Sequence, residues 1–411
     1  MKHTFRFALP LTWFVAIACA LGAMSSLTLA QTETVLYRFR GNDDGANPWA
    51  GLVLDGKGNL YGTTEYGGAL GTCFNGGTSC GTAFELSPTA GGSWTKTILH
   101  RFDEGSGGGN LRSGLIFDPS GNLYGTTIYG GDTSCEAPSG CGTVFELSPS
   151  SGGWNETVLH AFSGTPNGSW PVAGLTFDKL GNLYGTTSGG AGTVFELTPN
   201  SDGSWTETTI YTFGIAQDPL AGVILDGHGD VYGTLGIPGV AFELIPGTSG
   251  WSATVIGRGA YIYSGLTFDR KGNLYGTIDF APTEYGSVFE LVRSGTGWKE
   301  KMIYSFKGGN DGAGPGFGSL IFDKAGNLYG TTTSGGTKPA GTVFKLTPNS
   351  DGSWSESVVY SFQGAQDGAL PNAGLIFDGQ GNLFGTTYHG GTGNCSDYGG
   401  VGCGTVFEIT P

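Results

Sequence analysis

The chain has 411 residues, of which 79 are glycine and only 13% are charged, and its formal charge is −15. A phosphate backbone repels so acidic a protein, which excludes nucleic acid as a partner. The glycines lack the three-residue period of collagen, and no helical periodicity follows the first thirty residues, so many short strands and turns are expected.

Residues 1–30 read as a signal peptide. Lys2, His3 and Arg6 precede an apolar run from Phe7 to Leu21, and Thr28-Leu29-Ala30 has the small-x-small pattern of a cleavage site. The apolar run is too short for a membrane span, so residues 31–411 are expected as a single domain with no transmembrane segment after signal removal. Lys2 and Arg6 leave with the signal, which takes the mature chain to −17. The expected location is secreted: extracellular, periplasmic or at the cell surface.

The remainder is one phrase repeated seven times. It reads Gly-Leu-x-Phe-Asp, a short turn, Gly-Asn-Leu-Tyr-Gly-Thr-Thr, a variable loop, then Gly-Thr-Val-Phe-Glu-Leu, with its Asp at 55, 118, 178, 226, 269, 323 and 378. Each copy offers four strand candidates. In the second copy these are Gly114–Asp118, Asn122–Thr127, Thr143–Ser148 and Glu156–Phe162. The Asp-x-x-Gly-Asn link between the first two is a tight turn with glycine at positive φ. Repeats of this length built from strands predict an all-β fold, a seven-bladed β-propeller of four-stranded antiparallel blades. The last copy stops after its third strand at Pro411. Glu33-Thr-Val-Leu-Tyr-Arg-Phe39 resembles the missing fourth, so the N-terminal strand is predicted to join the C-terminal blade and close the ring.

Six cysteines follow the signal, in pairs that share a loop: Cys73 with Cys80, Cys135 with Cys141, and Cys395 with Cys403. In an exported chain each pair is expected as a local disulfide, since metal-type Cys-x-x-Cys spacing and nearby histidines are lacking. Trp94, Trp154, Trp205, Trp251, Trp298 and Trp354 recur at the start of the fourth strands and read as blade-edge packing. The recurring Glu85, Glu146, Glu196, Glu243, Glu290 and Glu408, replaced by Lys345 in one copy, read as solvated or inter-blade polar positions. His100 and His160 occupy a slot that tyrosine fills elsewhere and read as structural. The fourth copy is the most divergent, and with Gly257 and Gly259 in its last strand that strand is expected to be weak or frayed.

The two regular turns of each blade share one face, so the irregular links share the other, where binding residues concentrate. Ala50, Ser113, Ala173, Ala221, Ser264, Gly318 and Ala373 open the first strands and are expected to line the channel with small residues. Just outside them lie Trp49, Arg112, Val172, Leu220, Tyr263, Phe317 and Asn372. Of these, Trp49, Arg112, Tyr263, Phe317 and Asn372 are the candidate ligand contacts, with Tyr66, Tyr129 and His389 extending the surface. Neither ring holds a carboxylate or a histidine, so no catalytic residue is assigned. No cofactor is expected. Calcium is the one ion weighed, at Asp43, Asp44, Asp311 and Asp367, where Asp-Gly turn chemistry is the competing reading.

The repeated Gly-Leu-Ile-Phe-Asp, Gly-Asn-Leu-Tyr-Gly-Thr-Thr, Tyr-Gly-Gly and Gly-Thr-Val-Phe-Glu-Leu segments resemble the GloVer tandem repeat of exported bacterial proteins described as choice-of-anchor proteins. The resemblance covers essentially the whole mature chain. It implies a secreted or surface protein with no established enzymatic activity and no catalytic residues to carry over. Unlike anchored members, this chain ends on a blade strand with no sorting tail. The expected function is therefore a binding module, monomeric, whose partner is an extracellular glycan or protein. A lactonase-like or lyase-like enzyme with an axial metal and a structural envelope protein are the alternatives.

Overall fold

The computed structural model describes residues 32–68, 73, 80–103, 105–215, 217–280, 284–295, 297–395 and 401–410, so the expected signal peptide at 1–30 lies outside the described residues. The described residues form twenty-eight strands in seven antiparallel four-stranded sheets. Blade 1 consists of Val53–Leu54, Leu60–Thr64, Thr82–Pro88 and Trp94–Arg101, taken in order from the axis outwards. Blades 2 to 6 repeat it. In blade 7, Ile376–Phe377, Leu383–Thr387 and Thr405–Thr410 are completed by Thr32–Arg38, with Thr32 opposite Thr410 and Arg38 opposite Thr405. The expected closure of the ring by the N-terminal strand is present.

Local chemistry explains the repeated phrase. The Asp55 carboxylate accepts the backbone N–H groups of Lys57 and Asn59, both at 2.8 Å, and the Asn59 side-chain amide at 2.9 Å, while Gly58 takes φ +89°. The first threonine of Gly-Thr-Thr works between blades. Thr63, Thr126, Thr186, Thr234, Thr277 and Thr331 each donate to a backbone carbonyl that leads into the next blade's inner strand. Thr386 does the same for Ala50, across the closure. The second threonine stays within its blade: Thr64 and Thr82 share a hydrogen bond of 2.9 Å.

The inner strands are shorter than expected. Only Ile116–Phe117 forms the first strand of blade 2, where Gly114–Asp118 was predicted. Around the axis the lead-in segments crowd against one another instead of pairing in their own sheets. A Cβ on Gly222 would lie 2.7 Å from the Gly174 carbonyl oxygen, and one on Gly318 only 2.5 Å from the Ala373 carbonyl carbon. Small residues are therefore a packing requirement at the axis.

The core lies between blades. Phe84, Phe145, Phe195, Phe344 and Phe407 are fully buried, and burial of such a side chain is worth about 2–3 kcal/mol. Each meets the phenylalanine that ends the preceding blade's outer strand, as Phe39 meets Phe84 at 5.2 Å. The tryptophans that head the outer strands reach the neighbouring blade. Trp154 lies edge-on to Tyr61 and Trp205 to Tyr124. Glu196, Glu243 and Glu290 of the third strands accept the tyrosine hydroxyls opposite them, as in Tyr184 to Glu196 at 2.8 Å, and Glu243 also takes the Trp298 indole N–H of the next blade at 3.1 Å. His100 and His160 stand edge-on to Phe102 and Phe162.

One expectation is corrected. The outer strand of blade 4, Gly250–Arg258, is paired with Val240–Gly247 from Gly250 to Arg258 and is not frayed. Gly257 serves the seam with the next blade: a Cβ there would stand 3.0 Å from Leu291 of blade 5. The three disulfides are those expected, Cys73–Cys80, Cys135–Cys141 and Cys395–Cys403. Each second cysteine also offers its carbonyl to the next blade, accepting the N–H of Asn110, Trp170 and Asn47 in turn. Asn47, Asn110 and Trp170 all hold positive φ, between 57° and 59°.

Candidate ligand site at the axial mouth

The irregular links gather on one face, and their lengths differ. The link after the second strand spans residues 65–81 in blade 1, 128–142 in blade 2 and 388–404 in blade 7, but only 188–192 in blade 3 and 236–239 in blade 4. The disulfides lie in the three long links, those of blades 1, 2 and 7, and the links of blades 3 and 4 are the short ones.

The channel opens on this face into a cavity of about 270 Å³. Its floor is small, with Ala50, Ala173, Ala221, Gly318 and Ala373 among its lining, as expected from the sequence. Its rim carries Trp49, Arg112, Phe317 and Asn372, four of the five central candidates. Tyr263, the fifth, reaches the rim through Phe317, on which it stacks at 5.1 Å with 19° between the planes. Phe317 in turn touches Trp49 at 5.1 Å, and the Arg112 guanidinium lies 4.8 Å above the Trp49 ring.

Arg112 is held from below. Its Nε donates to Glu65 at 2.8 Å, and Glu65, 1% exposed, accepts the Tyr388 hydroxyl at 2.9 Å through its other oxygen. Burial works against the Arg112 charge, but Glu65 outweighs it and holds the guanidinium above its ordinary range. Its side chain remains 39% exposed at the rim. Tyr388 packs edge-on against Trp49 at 5.1 Å, so Glu65 fixes both the cation and the ring beneath it. A second hollow of about 210 Å³ shares Arg112, Val172 and Leu220 with the axial cavity, and Tyr129 and Trp170 line its far side.

The three peripheral candidates fall around the same hub. Tyr66 adjoins Glu65, and burial together with that carboxylate pushes its hydroxyl up to about 12. Tyr129 lines the second hollow. His389 packs against Tyr388 at 4.7 Å with the rings tilted by 56°, and burial depresses its imidazole. Glu65, Tyr388 and Asp279 were not singled out in the sequence. They share one position, the residue that directly follows the second strand, filled around the ring by Glu65, Ile128, Ser188, Gly236, Asp279, Thr333 and Tyr388. The signal available was variability in the one slot between the recurring Gly-Thr-Thr, which becomes Gly-Thr-Leu in blade 4 and Gly-Thr-Ile in blade 5, and its loop.

Three of the four loop aspartates weighed for calcium, Asp44, Asp311 and Asp367, serve turns and seams. Asp44 accepts the Tyr37 hydroxyl at 2.6 Å and the Arg40 N–H at 2.9 Å, and the Lys96 ammonium sits on its carboxylate and carbonyl. Asp311 and Asp367 hold Tyr304 and Tyr360 in the same way. No cluster of three or more His, Cys, Asp or Glu side chains suited to a metal occurs among the described residues.

Fold and repeat together define a disulfide-bridged tandem-repeat propeller with its irregular face built around an aromatic and arginine mouth. The chain belongs to the Gloeobacter/Verrucomicrobia repeat family, whose pattern matches residues 18–240 and 236–411. No curated protein matches it. Among solved structures it is similar to the periplasmic gluconolactonase of Pseudomonas aeruginosa, at 14% identity and a TM-score of 0.53, over 83% of this chain and 98% of that one. A Bacteroides fragilis protein described as a candidate 6-phosphogluconolactonase gives 14% and 0.51 over 77% and 86%. A Lactobacillus plantarum protein gives 13% and 0.51 over 77% and 87%. At these identities the likeness is one of fold.

Proposed function

We propose that this chain is an exported saccharide-binding module that takes its ligand at the axial mouth of the irregular face. The observation that carries the reading is the convergence of Trp49, Arg112, Phe317 and Asn372 on one cavity of about 270 Å³, near the lower end of ligand-pocket sizes and suited to one sugar ring. Apolar ring surface, one guanidinium and one amide suit the alternating C–H faces and hydroxyls of a pyranose. Glu65 holds Arg112 in place before any ligand arrives, so little ordering is lost on binding. Export is supported by the leader-like residues 1–30 and by three disulfides, which persist in oxidising compartments.

The purified mature protein should give a selective hit on a glycan array, and Trp49→Ala should weaken that hit at least about tenfold, on the order of 1.4 kcal/mol, with the melting temperature retained. A blank array, or an affinity that Trp49→Ala leaves unchanged, counts against the reading.

Sugar-lactone hydrolysis is a second reading, favoured by the fold likeness to a gluconolactonase. The cavity lining offers a metal only Asn372 and Ser319 as side-chain oxygen donors, which is a poor set for a divalent cation, so the axial-metal version does not fit these residues. Turnover of gluconolactone above the buffer rate, followed by base uptake at constant pH, would support it.

A further inference from the structure

Glu65 and Asp279 occupy the same place in blades 1 and 5. Each follows the second strand directly, and each donates its backbone N–H to the corresponding lead-in carbonyl, Asn47 for Glu65 at 3.1 Å and Tyr261 for Asp279 at 2.9 Å. Both carboxylates are buried, Glu65 at 1% and Asp279 at 8% exposure.

Their surroundings differ. Glu65 receives Arg112 from the following blade and Tyr388 from the preceding one. At the corresponding positions Asp279 has Phe317 and Gly236, neither of which brings a side-chain donor, and no hydrogen bond or ion pair reaches its carboxylate among the described residues. Its neighbours are aromatic. Tyr261 and Tyr263 lie 6.0 Å apart, Tyr263 stacks on Phe317, and burial followed by the Asp279 charge raises the Tyr263 hydroxyl. Gly314 leaves room for the carboxylate, since a Cβ there would stand 3.1 Å from Asp279 Oδ1. Burial alone pushes the Asp279 carboxyl up to about 6.

Burying a carboxylate costs free energy unless a partner offsets it, and the repeat shows one such partner: a cation at Glu65, supplied by the chain. We infer that Asp279 and the Tyr261, Tyr263 and Phe317 rings form a subsite for an ammonium group, so that the ligand of the mouth is an amino sugar with a free amine. The inference rests on the saccharide reading above and names its ligand class. An aromatic wall beside a carboxylate favours a cation both by ring quadrupole and by charge. The formal charge of −17 on residues 31–411 works in the same direction and against acidic glycans. The subsite lies beside the short link 236–239 of blade 4, and Tyr261, 38% exposed, marks its outer edge. Through the Tyr263–Phe317 stack it is continuous with the cavity wall.

The test is titration calorimetry of the intact protein with short chitosan oligomers, which carry free amines, and with chitin oligomers of the same length, in which the amines are acetylated. Chitosan oligomers should bind about tenfold or more tightly, the range that a charge-assisted hydrogen bond supplies. Asp279→Asn should abolish that preference by lowering the affinity for chitosan oligomers about tenfold or more. The preference in the parent protein should also shrink with added salt, a readout independent of how the variant folds. Equal affinity for the two oligomers, or a preference that Asp279→Asn and salt leave intact, overturns the amine subsite while the saccharide module stands. Binding of neither oligomer also overturns it, and an array hit for another sugar then keeps the module reading alive.

Discussion

The Thr386 hydroxyl of blade 7 donates to the Ala50 carbonyl of blade 1 at 3.0 Å, the same bond that Thr63 makes to Ser113 between blades 1 and 2. The seam where the chain closes on itself is thus bonded like the seams where it runs through. Thr386→Val keeps the shape and removes the donor, leaving a buried carbonyl unmatched. A loss of about 1–3 kcal/mol in urea unfolding is expected, and Thr63→Val should lose a similar amount. A much larger effect at Thr386 alone would mean that closure is a special weak point.

Axial crowding makes a second prediction. Gly222→Ala puts a methyl 2.7 Å from the Gly174 carbonyl oxygen and should destabilise by about 1–3 kcal/mol, whereas Gly227→Ala, with nothing within 4 Å, should be neutral. Differential scanning calorimetry of the two variants compares them directly.

The seams also carry a pH dependence. Where blade 1 has Lys96 against Asp44, blade 6 has Glu356 against Asp311 and blade 7 has Glu33 against Asp367. Burial first and then the facing aspartate push both glutamates up to about 7, against Lys307 near Glu356 and Arg38 near Glu33. Their unfolded value is near about 4.3. A raised folded value stabilises fully below the unfolded one, and that stability is lost as pH rises through about 7. Glu33→Gln and Glu356→Gln should therefore melt higher than the parent at pH 8, with the difference shrinking towards pH 5. A difference that does not vary with pH would falsify the paired-carboxylate account.

Reduction of the disulfides should leave the propeller standing. The bridges close loops of six to eight residues, for which chain entropy supplies at most about 2–3 kcal/mol each. Far-ultraviolet circular dichroism should survive dithiothreitol while the proposed saccharide binding weakens, because the bridged links belong to the face that carries the mouth.

Blade number, the completing strand and the cysteine pairs were all legible in the sequence because each rests on a local pattern printed several times over. The rim was legible for a related reason: Trp49, Arg112, Phe317 and Asn372 stand one step from an aligned small residue. Glu65 and Asp279 were missed since a carboxylate just past the second strand, after Gly-Thr-Thr in one blade and Gly-Thr-Ile in the other, looks like loop, and nothing in one dimension tells that this slot turns inward beneath the neighbouring blade's lead-in. The outer strand of blade 4 was misjudged for a similar reason. Gly257 reads as a weakness along the chain, but across the seam it is the space that Leu291 fills.

The pairing of Thr32–Arg38 with Thr405–Thr410 also sets a timetable. Six blades are contiguous in sequence, so each can form from its own segment. Blade 7 requires partners separated by nearly the whole chain, an entropic cost borne only once. Until then Thr405–Thr410 offers an unpaired strand edge, the kind of surface on which chains join wrongly. The protein should accordingly fold by lining up six blades as an open crescent and then shutting, and crowded refolding should trap swapped dimers in which one molecule's first strand completes another's last blade.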